Sequence, residues 1–121
     1  MCGDMGVGLM PYSPNGKGRL ARPAGEQSHR SNTDKVVQAF DSPHDAPVIN
    51  AVQKLAEARG VSMAQIALAW VLRNPLVSAP IVGATKPNHL PEAVDALILE
   101  LTDEEVQELE APYNQQGRSW Y

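Results

Sequence analysis

Two short apolar runs limit what this chain can fold into. Val7-Gly8-Leu9-Met10-Pro11-Tyr12-Ser13 is entered from Gly6 and left through Pro14-Asn15-Gly16, and Val77-Ser78-Ala79-Pro80-Ile81-Val82 ends at Gly83. Neither run alternates cleanly between apolar and polar residues, so each is expected to be a strand buried on both faces, as in a parallel sheet. Two strands are too few for an independently stable sheet of that kind.

Helical patterns fill most of the rest. Met1–Met5 reads as the tail of a helix, with Gly6 suited to the left-handed residue after its end. A chain that opens on a last helical turn is expected to have lost what preceded it. Val48, Ala51, Val52, Leu55 and Ala56 recur at i, i+3, i+4, i+7 and i+8, and Gly60 terminates the helix after Arg59. Ser62-Met63-Ala64-Gln65 is a capping box. The helix it opens, Met63 to Arg73, is apolar almost all round and is expected to be deeply buried. After the second strand another helix starts either near Lys86-Pro87 or one turn later, with Asn88 as cap and Pro91 still in the first turn. Thr102-Asp103-Glu104-Glu105 is a second capping box, opening an acidic helix to Glu110. Residues 15–47 form a long irregular loop rich in Gly, Pro, Ser and Asn, with Val36–Phe40 as one short helical piece.

Strands alternating with helices indicate βαβ units. A closed (β/α)8 barrel needs roughly 250 residues, and this chain has 121. The expectation is therefore an α/β fold: a partial (β/α)8 barrel, the last two βα units plus a C-terminal helix and tail, with residues 1–121 forming a single region.

Composition removes several functions. The net charge of −4 argues against a nucleic-acid partner, because phosphate neutralisation needs surplus Lys and Arg. No apolar run reaches the roughly 18 residues of a membrane span, and no basic stretch precedes an apolar core as in a signal peptide. A single cysteine, Cys2, makes no internal disulfide, which fits a cytoplasmic location. Cys2, His29, His44 and His89 lack metal-ligand spacing, so no metal site is expected. Ser13 lacks a nucleophile elbow.

The chemistry is concentrated in the segments that leave the two strands. Ser13 and two glycines, Gly16 and Gly18, follow the first strand and present a hydroxyl and open backbone N–H groups to a diphosphate, with Lys17, Arg19 and Arg22 nearby. Gly16-x-Gly18 alone is a common turn composition, and the third glycine of a dinucleotide fingerprint is missing. A helix start just past the second strand offers an anion site. The alternative is an ordinary exposed helix start.

Met10-Pro11-Tyr12-Ser13-Pro14-Asn15-Gly16 resembles the Y/W-S-P-L-x-x-G segment that follows the seventh strand of the aldo-keto reductases, with Asn15 where the family has Leu. Gly18–Pro23 is similar to the G-R-L-x-R-P continuation of a bacterial branch, and Leu109–Tyr113 to its L-E-x-P-Y close. Pro80–Ala93 resembles the eighth-strand motif P-I-x-G-[AT]-[ST]-[KR]-x-x-[HQR]-[IL]-x-E-[NA], and Ile66–Trp70 the A-x-x-A-L-A-W stretch. The resemblance implies an NADP(H)-dependent oxidoreductase that reduces a small-molecule aldehyde or ketone. It implies that Tyr12 stacks on the nicotinamide ring and that Ser13, Pro14, Asn15, Gly16, Gly18 and Arg19 surround the diphosphate. By the same resemblance Gly83, Thr85, Lys86 and His89 take the 2′-phosphate, and Glu92 contacts the adenine. Ala93 stands where Asn is frequent.

The family's Tyr acid and its Lys, Asp and His helpers come from the first half of the barrel, so no catalytic residue is expected here. The alternatives to a cofactor-binding part of a reductase are a noncatalytic truncated remnant and a small binding or interaction protein. Self-association through exposed sheet edges is expected.

Overall fold

The computed structural model describes residues 1–15, 20–23, 45–84 and 86–113. The helical piece expected at Val36–Phe40, most of the long loop and the tail lie outside the described residues. Five α-helices carry the described fold: α1 (Cys2–Met5), α2 (Ala46–Arg59), α3 (Met63–Leu72), α4 (His89–Asp95), extended by a 3-10 turn over Ala96–Ile98, and α5 (Asp103–Glu110).

Their ends follow from local chemistry. Gly6 (φ 66°) and Gly60 (φ 67°) are left-handed, a conformation that costs glycine little. After each, the next residue's N–H returns to a carbonyl of the last turn, Val7 to Cys2 at 2.9 Å and Val61 to Ala56 at 3.1 Å, which satisfies carbonyls the helix leaves open. Both capping boxes form. Gln65 N donates to Ser62 Oγ at 3.2 Å, and Ser62 N to Gln65 Oε1 at 3.0 Å. Glu105 N donates to Thr102 Oγ1 at 3.2 Å, and Thr102 N to Glu105 Oε1 at 2.9 Å. Of the two starts open to α4, the later is adopted: Asn88 is the cap position, and Pro91 sits in the first turn, where it removes no intrahelical bond.

The core lies between α2, α3 and α5. Ile49, Val52, Leu55 and Ala56 pack against Met63, Ile66 and Leu109, with Ile66 wholly enclosed and Leu20, Val61, Leu99 and Leu101 around the margin. The α3 helix is less enclosed than its composition predicts. Met63, Ile66, Ala67, Leu68 and Ala69 are buried, but Trp70 is 43% exposed. Its indole Nε1 reaches outward and donates to Glu110 Oε1 at 3.0 Å, since an indole N–H needs an acceptor.

Arg59 fastens the end of α2 to α5. Its Nε donates to Glu105 Oε2 at 2.6 Å, and its terminal nitrogen bonds both Glu105 Oε1 and the Glu100 carbonyl. The Arg59 hydrogen bonds, helped by the Thr102 backbone N–H, hold the Glu105 carboxyl at about 2, below its ordinary 4.5. A depressed carboxylate stabilises the fold above the unfolded value and loses that contribution as pH falls toward the folded one. Glu105→Gln keeps the capping box and removes the charge. It is therefore expected to lower the urea midpoint modestly at neutral pH, with the difference from the parent closing as pH falls from about 4.5 to about 2. A gap that stays constant across that range would show that the ion pair contributes nothing.

The two expected strands pair in parallel, but not as buried strands. Among the described residues there is no continuous ladder, only two isolated parallel bridges, Leu9 to Val77 and Tyr12 to Ile81. Leu9 N donates to Leu76 O at 2.7 Å, Ser78 N to Leu9 O at 2.7 Å, and Ile81 N to Pro11 O at 2.8 Å. Between the bridges Met10-Pro11 faces Ser78-Ala79-Pro80, one residue longer, and Ala79 N joins Ser78 N on the Leu9 carbonyl at 3.4 Å. Two consecutive donors on one acceptor mark a bulge. Pro11 and Pro80, which have no N–H, cannot extend the ladder across it. At Gly8 a Cβ would collide with the Ser78 hydroxyl and stand 3.2 Å from the Ser78 Cβ, so the close approach of the two segments uses the missing side chain.

The expectation of burial on both faces is corrected by exposure: Val7 is 53% exposed, Tyr12 71% and Ile81 56%. The reason is physical. A parallel pair is covered only by further strands at its edges and helices on its faces, and no described element lies over these side chains. Leu90, Val94, Leu97 and Ile98, spaced along one side of α4 and its 3-10 extension, are likewise exposed.

Candidate functional site

The bridge from Tyr12 to Ile81 places the two motif segments. Because the pairing is parallel, Ser13-Pro14-Asn15 and Val82-Gly83-Ala84 leave at the same end, the carboxyl end of both segments. Ligands of α/β folds collect at that end.

Ser13 turns the chain there. Its φ of 52° is the one positive value at a described non-glycine residue, an uncommon conformation for a residue with a Cβ. Beyond it Pro14 and Asn15 are half-buried, and Asn15 O accepts from Leu20 N at 3.1 Å. The Asn15 side-chain oxygen and Arg22 Nε are buried and have no hydrogen-bond partner among the described residues. A buried acceptor without a donor is costly. Tyr12 presents an exposed side chain at the bridge itself.

On the second segment Gly83 is open, and a Cβ there would meet nothing. Lys86 is exposed and precedes α4, its carbonyl accepting His89 N at 3.1 Å, while His89 is half-buried. Glu92 is held: Asn88 Nδ2 donates to its Oε1 at 2.7 Å, and Ser62 Oγ to its Oε2 at 3.3 Å. Ala93, half-buried, follows it. Gly16, Lys17, Gly18, Arg19 and Thr85 lie outside the described residues.

The structure thus brings Tyr12, Ser13, Pro14 and Asn15 to the same end as Gly83, which leads to Lys86 and α4. Two partners of that group were missed in the sequence. Asn88 to Glu92 is an i, i+4 pair and was readable in principle. Ser62 comes from another helix and had no local signal.

A hydroxyl, an open glycine and a lysine that follow the carboxyl ends of two segments paired in parallel are the kind of arrangement that suits an anionic ligand. The comparisons narrow the class. The profile of the Aldo/keto reductase family matches residues 1–114, and the chain belongs to that family. It is 44% identical over 117 residues to versiconal hemiacetal acetate reductase of Aspergillus parasiticus, covering 93% of this chain and 34% of that protein. It is 37% identical over 126 residues to an aldo-keto reductase of Fusarium vanettenii (98% and 33%) and 37% identical over 114 residues to norsolorinic acid reductase B of Dothistroma septosporum (93% and 29%). The chain spans about a third of the length of these relatives. All three are fungal, and the bacterial branch read from Gly18–Pro23 and Leu109–Tyr113 is not carried past the family level. Members of the family are oxidoreductases with a (β/α)8 barrel that act on small-molecule carbonyl compounds, generally with a nicotinamide cofactor.

Proposed function

We propose that this chain is the cofactor-gripping C-terminal part of an NADP(H)-dependent aldo-keto reductase, contributing the last two βα units of the barrel, the final helix and a tail. The complete cytoplasmic barrel would reduce an aldehyde or ketone to the alcohol. The observation that supports this best is the parallel bridge from Tyr12 to Ile81, which sets both motif segments at one end.

The residues present fit the cofactor. NADP(H), when bound, supplies the hydride. Tyr12 offers an exposed ring for stacking, and Ser13 and Asn15 offer a hydroxyl and a buried unpartnered oxygen to the ribose and diphosphate region. Gly16, Gly18 and Arg19 continue that segment in sequence. By their place in the motif Lys86 and His89 would take the 2′-phosphate, with Thr85 beside Lys86 in sequence, and Glu92 would take the adenine. In this reading the half of the site that holds the cofactor is contained here, and the half that moves the proton is not.

Lys86 provides the test. Its ammonium discriminates NADPH from NADH only if it contacts the 2′-phosphate. A charge-assisted hydrogen bond is worth roughly 1.5–3 kcal/mol, or about ten- to hundredfold in affinity. Lys86→Ala is expected to weaken NADPH binding by that factor and to leave NADH nearly unchanged, as read by titrating both cofactors. Equal weakening of the two, or of neither, would make the start of α4 merely structural.

A further inference from the structure

Where α4 packs on α3, the Ser62 hydroxyl joins the start of α3 to the first turn of α4. Ser62 is the cap of α3, accepting Gln65 N at 3.2 Å, and the same oxygen donates to Glu92 Oε2 at 3.3 Å. A serine hydroxyl has one proton and two lone pairs, and this arrangement uses the proton on Glu92 while a lone pair serves the cap. Both oxygens of Glu92 are thereby engaged, Oε1 by Asn88 on its own helix and Oε2 by Ser62 from outside it. Asn88 alone fixes the carboxylate relative to α4. Among the described residues, Ser62 is the hydrogen-bond donor that ties it to the buried helix pair, because α3 is anchored by Met63 and Ile66 in the core.

We propose that Ser62 is a positioning residue for the adenine end of the ligand: it orients Glu92, and with it the first turn of α4, against the rigid α2–α3 core. The proposal rests on the reading that Glu92 faces the adenine. Ser62 does not touch the ligand in this scheme and acts through Glu92. A carboxylate held by two donors needs no reorientation when it receives the adenine amino group, so less side-chain freedom is lost on binding.

Two nearly isosteric variants separate this role from capping. Asn and Asp both cap helices well, so Ser62→Asn and Ser62→Asp each preserve the start of α3. Asn keeps an N–H donor for Glu92, whereas Asp removes the donor and sets a like charge beside it. With adenosine 2′,5′-bisphosphate as probe, Ser62→Asp is expected to lose about three- to tenfold in affinity relative to Ser62→Asn, less than the loss of a direct charge-assisted contact because Ser62 acts through Glu92. Nicotinamide mononucleotide, which has no adenine, should bind both variants alike. Amide hydrogen exchange supplies a readout independent of any ligand. In Ser62→Asp the amides of His89, Leu90 and Glu92 should exchange faster, while those of Gln65 and Ile66 stay protected. Equal exchange in the two variants overturns the proposal, and so does equal affinity when the parent binds the probe. A parent chain that does not bind adenosine 2′,5′-bisphosphate instead removes the cofactor reading, and the exchange comparison still decides whether Ser62 governs the first turn of α4.

Discussion

Purified as 121 residues, the chain is expected to leave a model aldehyde unreduced in the presence of NADPH. Carbonyl reduction in this family needs a proton delivered to the developing alkoxide as hydride arrives, and a positioned acid typically contributes roughly 10²–10⁴-fold. Two tyrosines are described here. Tyr12 sits in the strand pairing and Tyr113 just past α5, and both are exposed. In the proposed reading the catalytic tyrosine and its Lys, Asp and His partners belong to earlier strands of the barrel, and neither of these tyrosines takes that role. In that reading the loss is larger than one missing acid, because orientation of the carbonyl would also depend on walls built from those strands. The measurement is NADPH consumption by protein of verified mass. Sustained turnover above the buffer rate would show that a proton donor has been overlooked among the residues present.

The same protein is expected to elute from a sizing column well above its 13.1 kDa monomer mass, increasingly so at higher concentration. Val7, Leu9, Met10, Tyr12 and Ile81 expose apolar side chains on a parallel pair whose outer edges are unpaired among the described residues. Such edges template further strands, and a lysine placed on them blunts the tendency. Leu90, Val94, Leu97 and Ile98 add a second apolar strip, and contiguous exposure of this kind marks an association surface. Ile81→Lys should shift the elution toward monomer if strand pairing dominates, whereas Val94→Lys combined with Ile98→Lys should do so if the helix strip dominates. A sharp monomer peak from the unaltered chain, with cooperative thermal unfolding, would mean that these surfaces do not pair in solution.

What could be read from the sequence was what is decided within a few residues. Gly6, Gly60, the Ser62–Gln65 box and the Thr102–Glu105 box are where the pattern placed them, because a cap satisfies donors and acceptors of its own turn. The apolar runs, expected as buried strands, meet in parallel through two isolated bridges and form no strand among the described residues; their lack of alternation does not mean burial, because exposure depends on neighbours that no local pattern encodes. The sequence also placed the α2 stripe near enough, though Ile49 rather than Val48 is the buried residue at its start. Around the candidate site, Ser13, Gly83 and Lys86 were legible as residue types beside strand ends. The Ser62–Glu92 contact was not, since its partners lie 30 residues apart on different helices.

The doubled donation onto the Leu9 carbonyl makes the strand pairing a ruler. The extra residue in Ser78-Ala79-Pro80 means that Tyr12 meets Ile81 rather than Pro80. Each residue of extended chain advances about 3.3 Å. Deleting any one of those three would draw the segment leading to Lys86 back by that distance relative to Ser13, while an insertion would push it forward. The spacing between the two motif segments is thus written in a three-residue stretch.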